Sequence, residues 1–289
     1  MAAHSHSYYP TCLLLDLDDT LYQVEEIPDI VRRNIQGYMR TKLNISEDQI
    51  APLCLEYYTK YGTTLAGLVA NGYSIDFNDW HAEVHGTLPY SRLLKRDERM
   101  REFLQSIPLP KYIFTNADQK HADTCLDLMG VADLFQGIIC FESLMETGRK
   151  LGVVKDNKPV ICKPTQQAME LALEAAGAEA ATTVFCDDST RNVSGGHAAG
   201  MFSVLVGRTS KDCDCDLQVP SLFALKEDMP GLWAVPPSTK HLEGTRGAEA
   251  DDDDVLYVPP VARGQGVMSG RTAESAADCR RREVKVAAG

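Results

Sequence analysis

The chain has 289 residues, of which 44% are hydrophobic and 24% charged, the composition of a soluble globular protein with room for one large domain or two modest ones. Its net charge of −12 argues against a nucleic-acid polymer as partner, because proteins that bind one present a basic face. No stretch approaches the ~20 apolar residues of a membrane span, and the first ten residues lack the apolar core of a secretory signal, so we expect no membrane partner.

Apolar runs of strand length alternate with helical patterns along most of the chain. The predicted strands are 11–16, 111–115, 137–140, 182–187 and 201–206. The predicted helices between them are 98–106, 118–129, 164–176 and 190–199. This alternation indicates an α/β fold, a Rossmann-like parallel sheet covered on both faces. Right-handed crossovers then place the carboxyl ends of the strands along one edge, where such sheets bind ligands.

About 90 residues separate the first two predicted strands, far more than one crossover helix needs. Helical patterns at 27–43, 46–68 and 75–85 fill this gap. They predict a helical unit that covers the ligand edge, where it would exclude water and contribute to specificity. We therefore predict a catalytic core at 11–21 and 96–235, with a helical cap at 22–95.

The last part of the chain changes in composition. From residue 236 it consists mainly of Pro, Gly, Ala and charged residues, including an acidic run at 251–254, so we predict a disordered tail at 236–289. The nine cysteines form no spacing framework, which indicates reduced thiols in a cytoplasmic or nuclear protein. Cys213 and Cys215 are the only close pair, and a zinc site would need further ligands.

Four motifs with polar or charged side chains fall where predicted strands end or helices begin. The first contains Asp16, Asp18 and Thr20. If the first strand continued to Asp18, both carboxylates would lie on one side of it, and a cation or a proton would have to separate them. The other motifs are Thr115-Asn116 after the second strand, Lys163 before a helix, and Asp187-Asp188 after the fourth strand.

Each motif supplies a group that phosphoryl transfer needs. One carboxylate can attack phosphorus, and a second can protonate the leaving oxygen and later activate water. Hydroxyl and backbone N–H groups can hold the phosphoryl oxygens, and a lysine neutralises their charge. Mg²⁺ takes hard oxygen ligands such as these carboxylates. The motifs together predict Mg²⁺-dependent chemistry on a phosphate at the sheet edge.

In chain order these motifs resemble those of the haloacid dehalogenase (HAD) superfamily hydrolases. Asp16, Asp18 and Thr20 match the family's first motif, Thr115 the second, Lys163 the third and Asp187-Asp188 the fourth. The insert resembles the family's helical C1 cap. Several segments resemble the pyrimidine 5′-nucleotidase branch: Tyr-Gly-Thr-Thr-Leu-Ala-Gly-Leu (61–68), His-Gly-Thr-Leu-Pro-Tyr (85–90), Phe-Thr-Asn-Ala (114–117) and Asp-Asp-Ser (187–189).

The resemblance implies hydrolysis of nucleoside 5′-monophosphates, UMP and CMP first among them, through an aspartyl-phosphate intermediate. It implies Asp16 as nucleophile, Asp18 as acid and base, and Lys163 as the third catalytic residue. Thr115 and Asn116 would bind the phosphate. The implied Mg²⁺ ligands are Asp16, the backbone carbonyl of Asp18, and Asp187, while Asp188 would act outside them on water ligands or on Lys163.

Two alternatives differ from this reading: a phosphatase for another small phosphorylated metabolite, and a regulatory protein without turnover. Haloacid dehalogenation is disfavoured because it needs no Mg²⁺. Thr63, Thr64, His81, His85 and Tyr90 would either meet the substrate or form the interior of the cap. The basic segment 142–162 would either touch substrate or form a solvated loop, which we favour. The oligomeric state stays open.

Overall fold

The computed structural model describes residues 9–234, and six parallel strands in this range form one sheet. The strands are β1 (Cys12–Leu15), β2 (Lys111–Phe114), β3 (Gly137–Ile139), β4 (Thr183–Asp187), β5 (Phe202–Val206) and β6 (Leu217–Val219). Their order across the sheet is β3-β2-β1-β4-β5-β6, and every neighbouring pair is parallel. The predicted α/β fold with a parallel sheet is confirmed. The predicted tail at 236–289 lies outside the described residues.

Eleven α-helices accompany the sheet in the described range. They are α1 (Glu26–Thr41), α2 (Glu47–Tyr61), α3 (Thr64–Ala70), α4 (Phe77–Val84), α5 (Tyr90–Leu93), α6 (Glu98–Ser106), α7 (Gln119–Met129), α8 (Phe141–Lys150), α9 (Gln166–Ala176), α10 (Thr190–Ala198) and α11 (Leu225–Asp228). Six of them, α1 to α6, lie between β1 and β2 in the sequence, and α1 to α5 form the helical insert. None of the described helices is long and apolar enough to cross a membrane.

The sheet divides the apolar interior into two clusters. Leu14 belongs to the first cluster, which also holds Trp80 of the insert. Leu13 and Leu15, its neighbours on β1, belong to the second. Successive strand residues point to opposite faces, so a strand buried on both sides must be apolar throughout. This burial is the reason that the central strands read as continuous hydrophobic runs.

The first strand ends before it reaches the two carboxylates of the first motif. β1 stops at Leu15, and the chain then turns, with Asp19 at a φ of +57°. The conditional prediction that Asp16 and Asp18 share one side of a continuing strand is therefore wrong. Asp16 faces Lys163, whereas Asp18 faces His121, because the turn separates the two carboxylates.

The predicted helix at 46–68 is in fact two helices. α2 ends at Gly62, whose φ of +92° is a conformation that favours glycine. The Thr63 hydroxyl then accepts a hydrogen bond from the Ala66 N–H and caps the start of α3. A glycine followed by a capping threonine marks this boundary. The apolar pattern continues across it, so that pattern alone predicted a single helix.

The basic segment at 142–162 is solvated at its four basic side chains, Arg149, Lys150, Lys155 and Lys158, as we favoured, but it is not a loop throughout. Its first part belongs to α8, and Val154, Val160 and Ile161 in its second part are buried. The burial of these apolar side chains holds the segment against the core. The strand β6 and the helix α5 were not predicted, because elements of three or four residues give no readable periodicity.

Candidate active site

The ammonium group of Lys163 lies between two carboxylates at the carboxyl edge of the sheet. Its Nζ is 2.8 Å from Asp16 Oδ1 and 2.6 Å from Asp187 Oδ2, and it donates a third hydrogen bond to the Phe114 carbonyl. Only 1% of the side chain is exposed. Burial acts to lower the pKa of Lys163, but Asp16 and Asp187 outweigh it and raise the pKa to about 12.

The two carboxylates are buried and repel each other. Burial, followed by the charge of Asp187, raises the pKa of Asp16 well above its usual range, and Lys163 opposes this shift. Asp187 is held by the Ser189 N–H, 2.8 Å from its Oδ1, and by the amide of Asn192. Three donors therefore fix the Asp187 carboxylate in place before any ligand binds.

A third carboxylate completes an acidic cluster. One oxygen each from Asp16, Asp187 and Asp188 lies within 4.8 Å of the others. Arg208 contacts Asp188 at 2.7 Å, yet burial and the neighbouring Asp187 raise the pKa of Asp188 to about 6. Three carboxylates face two cations, which leaves one net negative charge, and carboxylate oxygens are the ligands that a hard divalent cation takes. The sequence placed Asp188 outside the metal ligands, whereas the structure groups it with Asp16 and Asp187.

Asp18 lies beside this cluster with partners of its own. His121 Nε2 is 2.9 Å from Asp18 Oδ1, and the Tyr22 hydroxyl donates to the same oxygen. Burial alone would raise the pKa of Asp18, but the imidazolium of His121 outweighs it and holds the pKa below the usual range. The Tyr90 hydroxyl lies 2.8 Å from the second nitrogen of His121.

His121 and Tyr22 were missed by sequence reasoning. His121 lies in the first turn of α7, the helix that follows the second motif at the end of β2. A histidine at this position shares the sheet edge with Asp18, and that placement is the signal that could have found it.

The two predicted phosphate ligands lie on the loop after β2. The Thr115 hydroxyl accepts a hydrogen bond from the Ala117 N–H. The side chain of Asn116 clamps the backbone of Lys163: its oxygen accepts from the Lys163 N–H at 2.8 Å, and its amide donates to the Lys163 carbonyl. Asn116 therefore holds the lysine in position, and its role toward phosphate stays a prediction.

A second group of polar side chains joins the insert to the loop before α7. Asp118 Oδ1 caps α7 by accepting from the His121 N–H. Its other oxygen lies 2.6 Å from His85 Nδ1 and 3.4 Å from His81 Nδ1. Neither nitrogen of His81 has a hydrogen-bond partner among the described residues. Burial lowers the pKa of His81 to about 4, so this imidazole is neutral.

A cavity of about 660 Å³ opens onto both groups. Asp16, Asp18, Lys163 and Asp188 line it on the side of the sheet. Side chains from the insert line the opposite side: Ile27, Val31, Ile35, Thr63, Thr64, Trp80, His81, Val84 and His85. Among the described residues, Tyr90 and the four basic side chains of the segment 142–162 are not part of its wall.

Comparison with known proteins gives one family and several relatives. A family model described as haloacid dehalogenase-like hydrolase matches residues 10–200. Phosphate metabolism protein 8 of Saccharomyces cerevisiae is 28% identical over 199 residues, which cover 66% of this chain and 59% of that protein. The chain thus spans less than two thirds of this relative's length.

Among solved structures, the L-2-haloacid dehalogenase of Xanthobacter autotrophicus is 16% identical, with a TM-score of 0.48 and coverage of 77% of this chain and 99% of that one. A HAD phosphatase from Thermococcus onnurineus is 18% identical, with a TM-score of 0.47 and coverage of 76% and 98%.

Proposed function

The chain belongs to the haloacid dehalogenase-like hydrolases, and from this premise we propose that it is a Mg²⁺-dependent phosphomonoesterase for nucleoside 5′-monophosphates, UMP and CMP first. The observation that carries the proposal is the position of Lys163 between Asp16 and Asp187, with Asp18 two residues after Asp16. This arrangement joins a candidate nucleophile, a charge-neutralising cation and a proton-transfer group at one edge of the sheet.

In the proposed reaction, an oxygen of Asp16 forms a bond to phosphorus while the bond to the ribose 5′-oxygen breaks. The proton that His121 holds in its ion pair with Asp18 passes through the Asp18 carboxylate to the leaving oxygen, which leaves His121 neutral. Water then attacks the aspartyl-phosphate, Asp18 takes its proton, and phosphate leaves with Asp16 restored.

The residues that would hold Mg²⁺ are Asp16, Asp187 and the backbone carbonyl of Asp18, with the Asp188 carboxylate close enough to join them. The bound cation would neutralise charge on the phosphoryl oxygens. Lys163 supplies a fixed positive charge at the same place, and it offsets the repulsion between Asp16 and Asp187.

The nucleotide part of the proposal is supported by the resemblance of the segments 61–68 and 85–90 and by the cavity. Its volume of about 660 Å³ falls within the ~300–1,000 Å³ of small-molecule sites. Thr63, Thr64, His81 and His85 line it on the side of the insert and offer polar contacts. We propose that the insert, 22–95, acts as the cap over a core of 11–21 and 96–235.

Free thiols support a reducing compartment. All eight cysteines of the described range are free, three of them in or beside strands of the sheet. Thiols that stay reduced are typical of cytosolic and nuclear proteins. We therefore propose the cytoplasm or the nucleus as the site of action.

The test is a substrate screen with purified full-length protein and its D16N variant. We expect phosphate release from UMP and CMP that requires Mg²⁺, is abolished by EDTA, and is faster than release from sugar phosphates. No release from any phosphomonoester, generic substrates included, would contradict the enzyme proposal and favour a regulatory protein.

The apolar part of the cavity favours a second candidate, a phosphomonoester that carries an apolar group. Ile27, Val31, Ile35 and Val84 contribute apolar surface there, and such surface stabilises a ligand when it is removed from water. Faster release from such a compound than from UMP would replace the nucleotide as substrate and leave the phosphatase chemistry standing.

A further inference from the structure

His81 and His85 line the cavity on the side of the insert, and Asp118, on the loop before α7, faces them. We propose that these three residues bind a second divalent cation, of the borderline class that Zn²⁺ represents. One ligand atom from each of the three lies within 4.8 Å of the others. The site rests on this geometry, and it is independent of the substrate.

The backbone places the three ligands. His81 and His85 are four residues apart at the end of α4, so their side chains emerge from one face of the helix. Their rings are stacked, with centroids 5.9 Å apart. Asp118 Oδ1 caps α7, and its second oxygen, at hydrogen-bond distance from His85 Nδ1, faces both imidazoles.

The ring of His81 gives the strongest support for a metal site. Its side chain is 10% exposed, and neither ring nitrogen has a hydrogen-bond partner among the described residues. A buried polar group left unpaired destabilises the folded chain. Coordination to a metal would satisfy one nitrogen, and the neutral imidazole is the form that binds metals.

The neighbouring histidine does not belong to the ligand set. The ring of His121 lies 4.6 Å from that of His85, but its two nitrogens are already engaged with Asp18 and Tyr90. Two imidazoles and one carboxylate remain. This ligand set suits Zn²⁺ and related ions, whereas the all-carboxylate cluster suits Mg²⁺. The two sites therefore differ in the cation that they prefer.

The proposed cation would fasten the insert to the core. His81 belongs to α4 and His85 directly follows that helix, while Asp118 belongs to the loop between β2 and α7. Both histidines also line the cavity, so the remaining coordination positions would face it. The expected consequence is a cation-dependent gain in thermal stability, because a ligand that binds only the folded chain stabilises it.

The experiment measures Zn²⁺ and Co²⁺ binding to the full-length protein after metal removal, with Mg²⁺ in large excess to occupy the acidic cluster. Titration calorimetry should show one tight site per chain, Co²⁺ should give visible bands without thiolate charge transfer, and Zn²⁺ should raise Tm. X-ray absorption at the zinc edge should show imidazole scattering.

The variant H81L tests the site directly. His81 has no hydrogen-bond partner to lose, so the metal-free variant should fold with an unchanged or higher Tm. Its Zn²⁺ affinity should fall at least about 100-fold, because losing even an outer partner of a metal ligand costs about 10- to 100-fold. D118N is the second variant, since asparagine can still cap α7.

The control is H197Q, which removes a histidine whose side chain is 45% exposed on α10. It should bind Zn²⁺ as the wild type does. Equal Zn²⁺ affinity and equal Tm gain in the wild type, H81L and D118N would overturn the proposal, as would a wild type that binds no Zn²⁺ in the presence of Mg²⁺. The cluster would then be a hydrogen-bond arrangement alone.

Discussion

His121 Nε2 lies 2.9 Å from Asp18 Oδ1, and the two residues are 103 positions apart in the chain. The imidazole is completely buried, and the Tyr90 hydroxyl contacts its other nitrogen. The orientation of the Asp18 carboxylate is therefore set by α7 and by the last helix of the insert. This contact links the insert to Asp18, the proposed proton-transfer group, in addition to the contact of the insert with the cavity.

The variant H121Q should lower kcat by about 10- to 100-fold and change KM little, because acid–base groups contribute about 10²- to 10⁴-fold and glutamine keeps one hydrogen bond to Asp18. Steady-state kinetics on the best substrate of the screen measures the split. K120A, a change at an exposed neighbour, is the control and should leave both constants alone. A rise in KM alone would place His121 in substrate binding.

The variant D16N should lower turnover by at least about 1,000-fold, since it removes the proposed nucleophile. The fold should persist, because Lys163 keeps Asp187 as a partner and the repulsion between Asp16 and Asp187 disappears. Phosphate release and thermal unfolding measure the two effects. D133N, at an exposed ion pair with Arg101, should retain wild-type turnover, and retention of activity by D16N would contradict the mechanism.

Lys163 and Lys111 are two buried lysines with different partners, and K163M and K111M should differ in stability. K163M leaves Asp16 and Asp187 without their cation and should cost about 3–5 kcal/mol. The Lys111 ammonium donates only to the carbonyls of Ile107 and Leu109, so K111M should cost about 1–3 kcal/mol. Denaturant unfolding at pH 7 gives both values, and equal costs would show that the carboxylates need no cation there.

Gly62 and Gly72 have nearly the same backbone angle, with φ of +92° and +90°, and differ in their surroundings. A Cβ at Gly62 would lie 2.5 Å from the Lys163 carbonyl, whereas a Cβ at Gly72 would have nothing within 4 Å. G72A should cost about 1–3 kcal/mol through backbone strain alone. G62A should cost more and should also lower kcat, because the backbone of Lys163 must move.

Unfolding and kinetics on the pair separate strain from contact. If G62A and G72A lose the same stability and keep the same kcat, the close approach of the α2–α3 boundary to Lys163 does not contribute to activity.

Local sequence patterns were enough to predict the α/β fold of the protein. Continuous apolar runs on β1 and β4 predicted a doubly covered parallel sheet, because only such strands bury both faces. The polar motifs were predicted to meet because the carboxyl ends of parallel strands share one edge. The lengths of the runs could not show that β1 stops at Leu15, where a turn ends the alternation.

The tertiary structure decided which residues of the site contact one another. His121 meets Asp18, Asn116 clamps the backbone of Lys163, and His81 approaches Asp118, each across 37 or more positions of sequence. Such contacts depend on how the loops, the helices and the insert pack at the edge of the sheet. Spacing along the chain carries this information only within a helix or a strand, so the sequence by itself determined which chemical groups reach the edge, and packing determined which of them touch.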